Sequence, residues 1–323
     1  MRKSFFFKET ASAVQNLTAL INESATALIS MWNVRCQVVG LLKMNQNLKN
    51  HDLAERFSIG SGIRGVQLES SFIRQSWEEQ QSMFSWVLLN AACSVFEGWL
   101  AHAPTGADGD SANHREKQKK LQRPNEAGDV LRTICVDHKD LQAEKSFYKF
   151  YSTNKKNSLT KIGPLLCCYR VFKEMRNCYM HNACRANDSC YTAYTTYKSN
   201  CSKISLGVTE IPIVNPITRG DILKPVWRGV VGLTDIVIRL IITYDAEFSK
   251  TIYAKDSFLK RFESENGKGL TFDFSSRIGH KRFRECVSKT GVVFSDEDAL
   301  RRILVKHGYK FVNVTNKKQE RKG

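Results

Sequence analysis

Residues 69–103 read "ESSFIRQSWEEQQSMFSWVLLNAACSVFEGWLAHA". The spacing predicts one long helix here, and its second half is apolar on nearly every side. Such a helix cannot lie on the rim of a water-soluble fold. It has to be surrounded, so the chain must supply other helices to pack around it. The rest of the sequence does supply them. Residues 8–49 place Val14, Leu17, Leu20, Ile21, Leu28, Met31, Trp32, Val38, Val39 and Leu42 at helical spacing. A shorter helix or pair is expected over 129–151, and another apolar helix over 224–248. A further helix is expected over 161–183, with Pro164 in its first turn, where a missing N–H costs least. With 42% hydrophobic residues in 323, the expected fold is mainly α, a helical bundle.

Breaks between these runs set the organisation. The stretch "SIGSGIRG" (58–65) is a glycine-rich loop without the Lys-Ser/Thr ending of a phosphate-binding loop. Residues 105–128 are polar, glycine-containing and charged, an exposed insertion. "RANDSCYTAYTTYKSN" reads as a loop carrying Tyr191, Tyr194 and Tyr197, and 207–217 as an extended, proline-broken segment. From about residue 270 the pattern becomes that of a small mixed α/β unit. Its "SDEDALRRILVKHG" (295–308) has a Ser cap, an acidic first turn, a basic last turn and a closing Gly, all marks of a helix. The expected division is a bundle over 1–250, a small basic unit over 251–314 and a disordered tail over 315–323.

Lys and Arg together number 49 against 32 Asp and Glu, a formal charge of +17. A charge of that size attracts polyanions such as RNA, DNA or an anionic membrane surface, although a merely solvated basic surface gives the same count. The ten Cys residues follow neither a disulfide framework nor the short paired spacing of zinc sites. They read as reduced thiols of a cytoplasmic protein, packing as small hydrophobes. "MRKSFFFKET" is too short for an export signal, and "VVGLTDIVIRLII" is interrupted by Asp235 and Arg239. No membrane partner is therefore expected. No Walker-type loop or carboxylate constellation points to nucleotide hydrolysis or to a metal-dependent nuclease.

One helix carries polar residues that packing does not demand. In "KEMRNCYMHN" (173–182), Arg176 falls within the apolar stripe, while Arg170, Lys173, Glu174, Asn177 and His181 share an adjacent lane. Asn177 and His181 are i,i+4 neighbours. A half-buried Arg requires an anion or carbonyl, and its guanidinium suits a phosphate. Imidazole is the side chain best suited to moving a proton near neutrality.

Arg-Asn followed by three residues and His, late in an apolar bundle helix, resembles the Arg-x(4–6)-His signature of HEPN ribonucleases. The resemblance implies an HEPN-like helical bundle over at most residues 8–250. It implies metal-independent RNA cleavage without a cofactor, by attack of the 2′-OH to leave a 2′,3′-cyclic phosphate. It further implies a homodimer whose two motif helices form one composite site. A role as a toxin or antiviral effector, restrained by an antitoxin or sensor partner, is implied too. On this reading Arg176, Asn177 and His181 are catalytic. His181 moves the proton, Arg176 stabilises phosphoryl charge, and Asn177 orients one or the other. Arg170, Lys173 and Lys198 bind RNA, Glu174 and Tyr179 support the site, and Glu174 pairs with Arg170 or Arg176. The Tyr191, Tyr194 and Tyr197 series could stack bases, although aromatic residues at that spacing more often serve packing. The basic residues Lys281, Arg282, Arg284, Arg301, Arg302 and Lys306 either widen the RNA footprint or form a solvated face.

The same bare spacing recurs in Arg302–His307, where helix-dipole complementation explains it. The competing expectation is a non-catalytic helical nucleic-acid-binding or scaffold protein.

Overall fold

The structure, a computed structural model, describes residues 5–102, 116, 119–121, 123–152 and 159–312. Most of the 105–128 insertion and the whole of the 315–323 tail lie outside the described residues. The chain is mainly helical. Helices α1 (Lys8–Met44), α2 (Asn50–Ser58), α3 (Trp77–His102) and α4 (Ala127–Asp137) come first. The segment α5 follows, made of Leu141–Ala143, a wide turn at Glu144–Tyr148 and Lys149–Ser152. Next are α6 (Ile162–His181), α7 (Asp188–Asn200) and α8 (Trp227–Phe248). The C-terminal part holds α9 (Ile252–Asn266), α10 (Arg277–Lys289) and α11 (Glu297–Lys306). Two short strands, β1 (Thr271–Asp273) and β2 (Lys310–Val312), pair in parallel with Phe272 opposite Phe311.

At the centre, α3, α6 and α8 pack on one another, and α1 packs on α3 and α8. Leu88, Leu89, Ala92, Cys93 and Phe96 of α3 are buried, as its all-round apolar sequence requires. α8 buries Val230, Leu233, Val237, Leu240 and Tyr244 on its core face. The same hydrophobic core continues into the C-terminal helices through Phe258, Phe262, Phe272 and Phe283. The Phe147 and Phe258 rings lie 5.4 Å apart across that junction. A satellite core forms where the second half of α1 meets α2: Val38, Leu53, Leu68 and Phe72.

The N-terminus is tied to the middle of the core by one carboxylate. Asp245 accepts hydrogen bonds from the Phe6 and Phe7 amides at 2.8 and 3.1 Å. Arg261 donates to the Phe6 carbonyl at 2.9 Å. These contacts occupy groups that the start of α1 leaves unpaired.

Three expectations from the sequence need correction. The run from Glu69 to Ala103 is not one helix. A wide turn at Ser70–Arg74 precedes a fresh start, where Ser76 Oγ accepts from the Glu79 amide and Glu79 accepts from the Ser76 amide. This reciprocal pair is a capping box, and it opens α3. "DSCYTAYTTYKSN" is a helix rather than a loop. Asn187 caps it by accepting from the Cys190 amide at 2.9 Å, and Cys190, Ala193 and Tyr197 form its buried stripe. The cap of the last helix is Asp296, which accepts from the Ala299 amide, whereas Ser295 bonds to the Ser146 carbonyl.

Two helices, Lys8–Met44 and Trp77–Ala101, are long and apolar enough to cross a bilayer by length and composition. The apolar window of the second is half buried inside the protein, as a core helix's would be, while that of the first is only 11% buried.

Candidate functional site

The candidate residues ride on α6, whose Leu165, Tyr169, Phe172 and Met175 are buried and fix its rotation. With that face in the core, Asn177 and His181 come to its outer end. Together with Glu174, Asn182 and Asn187 they line an open depression of about 540 Å³. His181 is exposed at the last helical position. Asn177 is half-buried and donates to Glu174 at 3.5 Å.

The chain leaves α6 through two residues in left-handed backbone, Ala183 (φ 45°) and Cys184 (φ 62°). Non-glycine residues pay a steric cost there. Hydrogen bonds hold the turn in place: Cys184 N–H donates to the Cys178 carbonyl, and Leu223 N–H donates to the Cys184 carbonyl. The floor beneath His181 and Asn182 is therefore rigidly built.

Arg176 does not line the depression. It turns toward α3, where Nη2 lies 3.6 Å from Glu97 and Nη1 reaches Asn177 Oδ1 at 3.4 Å. Its Nε is buried and makes no hydrogen bond among the described residues. Both contacts are long, so the guanidinium keeps unused donor capacity. Lys173 also reaches Glu97, at 2.9 Å. Glu97, which sequence reasoning missed, is thus the anion that a half-buried Arg demands. Its signal was a lone carboxylate inside the otherwise apolar "ACSVFEGWL". The expected pairing of Glu174 with Arg170 or Arg176 is replaced by its bond to Asn177.

Other expected RNA contacts stand elsewhere. Arg170 lines a separate cavity of about 250 Å³ with Arg132, Asp129 and Cys167. Lys198 is exposed near the end of α7. Tyr179 is half-exposed and stacks on Trp86 at 4.5 Å between ring centroids. Tyr197 cannot serve as a base platform, because it is buried and its hydroxyl donates to the Pro212 carbonyl. Tyr191 lies beneath Arg219. In the C-terminal unit Arg284 pairs with Glu297 at 3.0 Å, and Arg301 stacks over Phe274.

Chemically, the depression offers one exposed imidazole, three side-chain amides and one carboxylate. That set can move a proton and hold a polar ligand. Among the described residues no group of three or more His, Cys, Asp or Glu side chains could hold a metal ion. No protein-family model, no curated protein and no solved structure matches this chain.

Proposed function

We propose that the chain is a metal-independent endoribonuclease acting in the cytoplasm, of the HEPN type that its Arg-Asn-x3-His motif resembles. The supporting observation is that Asn177 and His181 share one solvent-open depression at the end of α6, with Arg176 one residue away. RNA carries its own nucleophile, the 2′-OH, so the protein has only to move protons and stabilise charge. His181 takes the proton from the 2′-OH or gives one to the departing 5′-oxygen. Asn177, held by Glu174, orients the imidazole or the phosphate. Arg176 swings from its long contact with Glu97 to a phosphoryl oxygen. One imidazole cannot be base and acid in a single step, so a second copy of the chain supplies the other. The biological setting that fits is a toxin or antiphage effector restrained by a partner.

A second reading has its own support. Lys173 and Arg176 both face Glu97, which is what two structural cations joining α3 and α6 would do. On that reading the protein binds nucleic acid without cutting it. The test is incubation of cellular RNA in EDTA with wild type and with His181→Ala, followed by end-group analysis. Cleavage that leaves 2′,3′-cyclic ends and is lost in the variant supports the enzyme. Tight binding by both proteins without cleavage supports the second reading.

A further inference from the structure

The helices α6 and α7 face each other through two pairs of thiols. Cys167 and Cys178 are eleven residues apart on α6, as are Cys190 and Cys201 on α7 and its C-cap. Eleven residues is close to three helical turns, so each pair lies along one side of its helix. The helices run in opposite directions, so that Cys167 lies beside Cys201 and Cys178 beside Cys190. Both pairs are reduced.

The two ends differ in access. Cys178 and Cys190 are fully buried, and burial pushes the Cys190 thiol up to about 12. They are protected and chemically quiet. Cys167 and Cys201 are only half-buried. Cys167 opens onto the 250 Å³ cavity whose rim carries Arg132 and Arg170. The Cys201 thiol donates to the Pro164 carbonyl at 3.6 Å, one turn before Cys167 on α6, and the adjoining Cys201 thiol and then the Arg170 charge draw the Cys167 thiol below its ordinary range, against burial. Next to it, Cys168 is buried and held neutral.

We propose that Cys167 and Cys201 are a redox-active dithiol that small hydroperoxides oxidise to a disulfide, covalently joining α6 to α7. The Cys167 thiolate sulfur attacks the outer peroxide oxygen. The O–O bond breaks, the alcohol or water leaves with a proton, and Cys167 becomes a sulfenic acid. The Cys201 sulfur then attacks that sulfur. The S–S bond forms, the S–O bond breaks, and the oxygen leaves as water. Two thiols and one hydroperoxide thus give one disulfide, one alcohol (or water) and one water. An external dithiol restores the reduced pair by exchange. The cavity supplies the entry, Arg170 favours the anion, and Cys201 is already in place as the resolving thiol. This assignment does not depend on the ribonuclease reading.

The test uses the full-length reduced protein, titrated with hydrogen peroxide and mapped by mass spectrometry without reduction. The exposed Cys36 serves as an internal comparison. The expected product is a Cys167–Cys201 cross-linked peptide at near-stoichiometric peroxide, formed before Cys36 is oxidised, because the two thiols already adjoin beside the cavity. Cys201→Ser should leave a Cys167 sulfenic acid that dimedone traps. In wild type, alkylation of Cys167 by iodoacetamide should reach half its maximum rate at a lower pH than alkylation of Cys36. Oxidation of Cys36 first, with no Cys167–Cys201 peptide, would overturn the proposal. So would equal alkylation profiles for the two cysteines in the folded wild-type protein.

Discussion

Two carboxylates show how much a single side chain decides here. Asp245 is fully buried, and that burial pushes its carboxyl up to about 6, against the opposing hydrogen bonds from Thr10 and the Phe6 and Phe7 amides and the nearby Arg261 charge. Raised above its unfolded range, it binds a proton more tightly in the native state. Its contribution to stability is therefore full below about pH 4 and is lost as pH rises through about 6. Asp245→Asn removes that slope. The difference in urea midpoint between wild type and variant should shrink from pH 4 to pH 7, and a constant difference would refute the assignment. Glu97 is the shared anion for two half-buried cations. Glu97→Gln removes the carboxylate that Lys173 and Arg176 share and should lower stability by about 1–3 kcal/mol, read from the same denaturation curves.

Among the elements, α8 shows why one small residue can decide a packing arrangement. The extended segment before it crosses its first turns, and a Cβ on Gly229 would lie 1.9 Å from the Ile213 carbonyl oxygen. Gly229→Ala must push the 207–217 strap away from α8. The expected loss is about 3 kcal/mol, seen as a lower thermal midpoint, whereas Gly40→Ala, with open space around it, should be tolerated. The helix over 161–183 was readable from its apolar spacing, and it runs from Ile162 to His181. α7 was not read as a helix, because Thr and Tyr are weak helix formers and pairing with α6 overrides that preference. Its stripe of Cys190, Ala193 and Tyr197 and its Asn187 cap were present in the letters all the same. So was the Ser76–Glu79 box that opens α3.

Over the whole molecule, charge is the property that composition carries without any structure. With a net charge of +17, binding of single-stranded RNA should weaken steeply with salt. The loss is about fiftyfold between 50 and 200 mM for roughly four phosphate contacts, measured by filter binding. Binding indifferent to salt would count against a phosphate-reading surface. One hydrophobic core runs past residue 250, from Phe147 to Phe258 and Phe262. Hydrophobic periodicity is local, so the sequence by itself determined which stretches coil, which faces seek burial and that the product is mainly helical. It also put Asn177 and His181 on one lane, because an i,i+4 spacing places two side chains together on any helix. Partners distant in sequence were decided only by the tertiary structure. Glu97 faces Arg176, Asp245 holds the amides of Phe6 and Phe7, and Cys201 meets Cys167. Each of those meetings depends on how two helices are rotated and offset against each other, and that is set by the packing of the whole core.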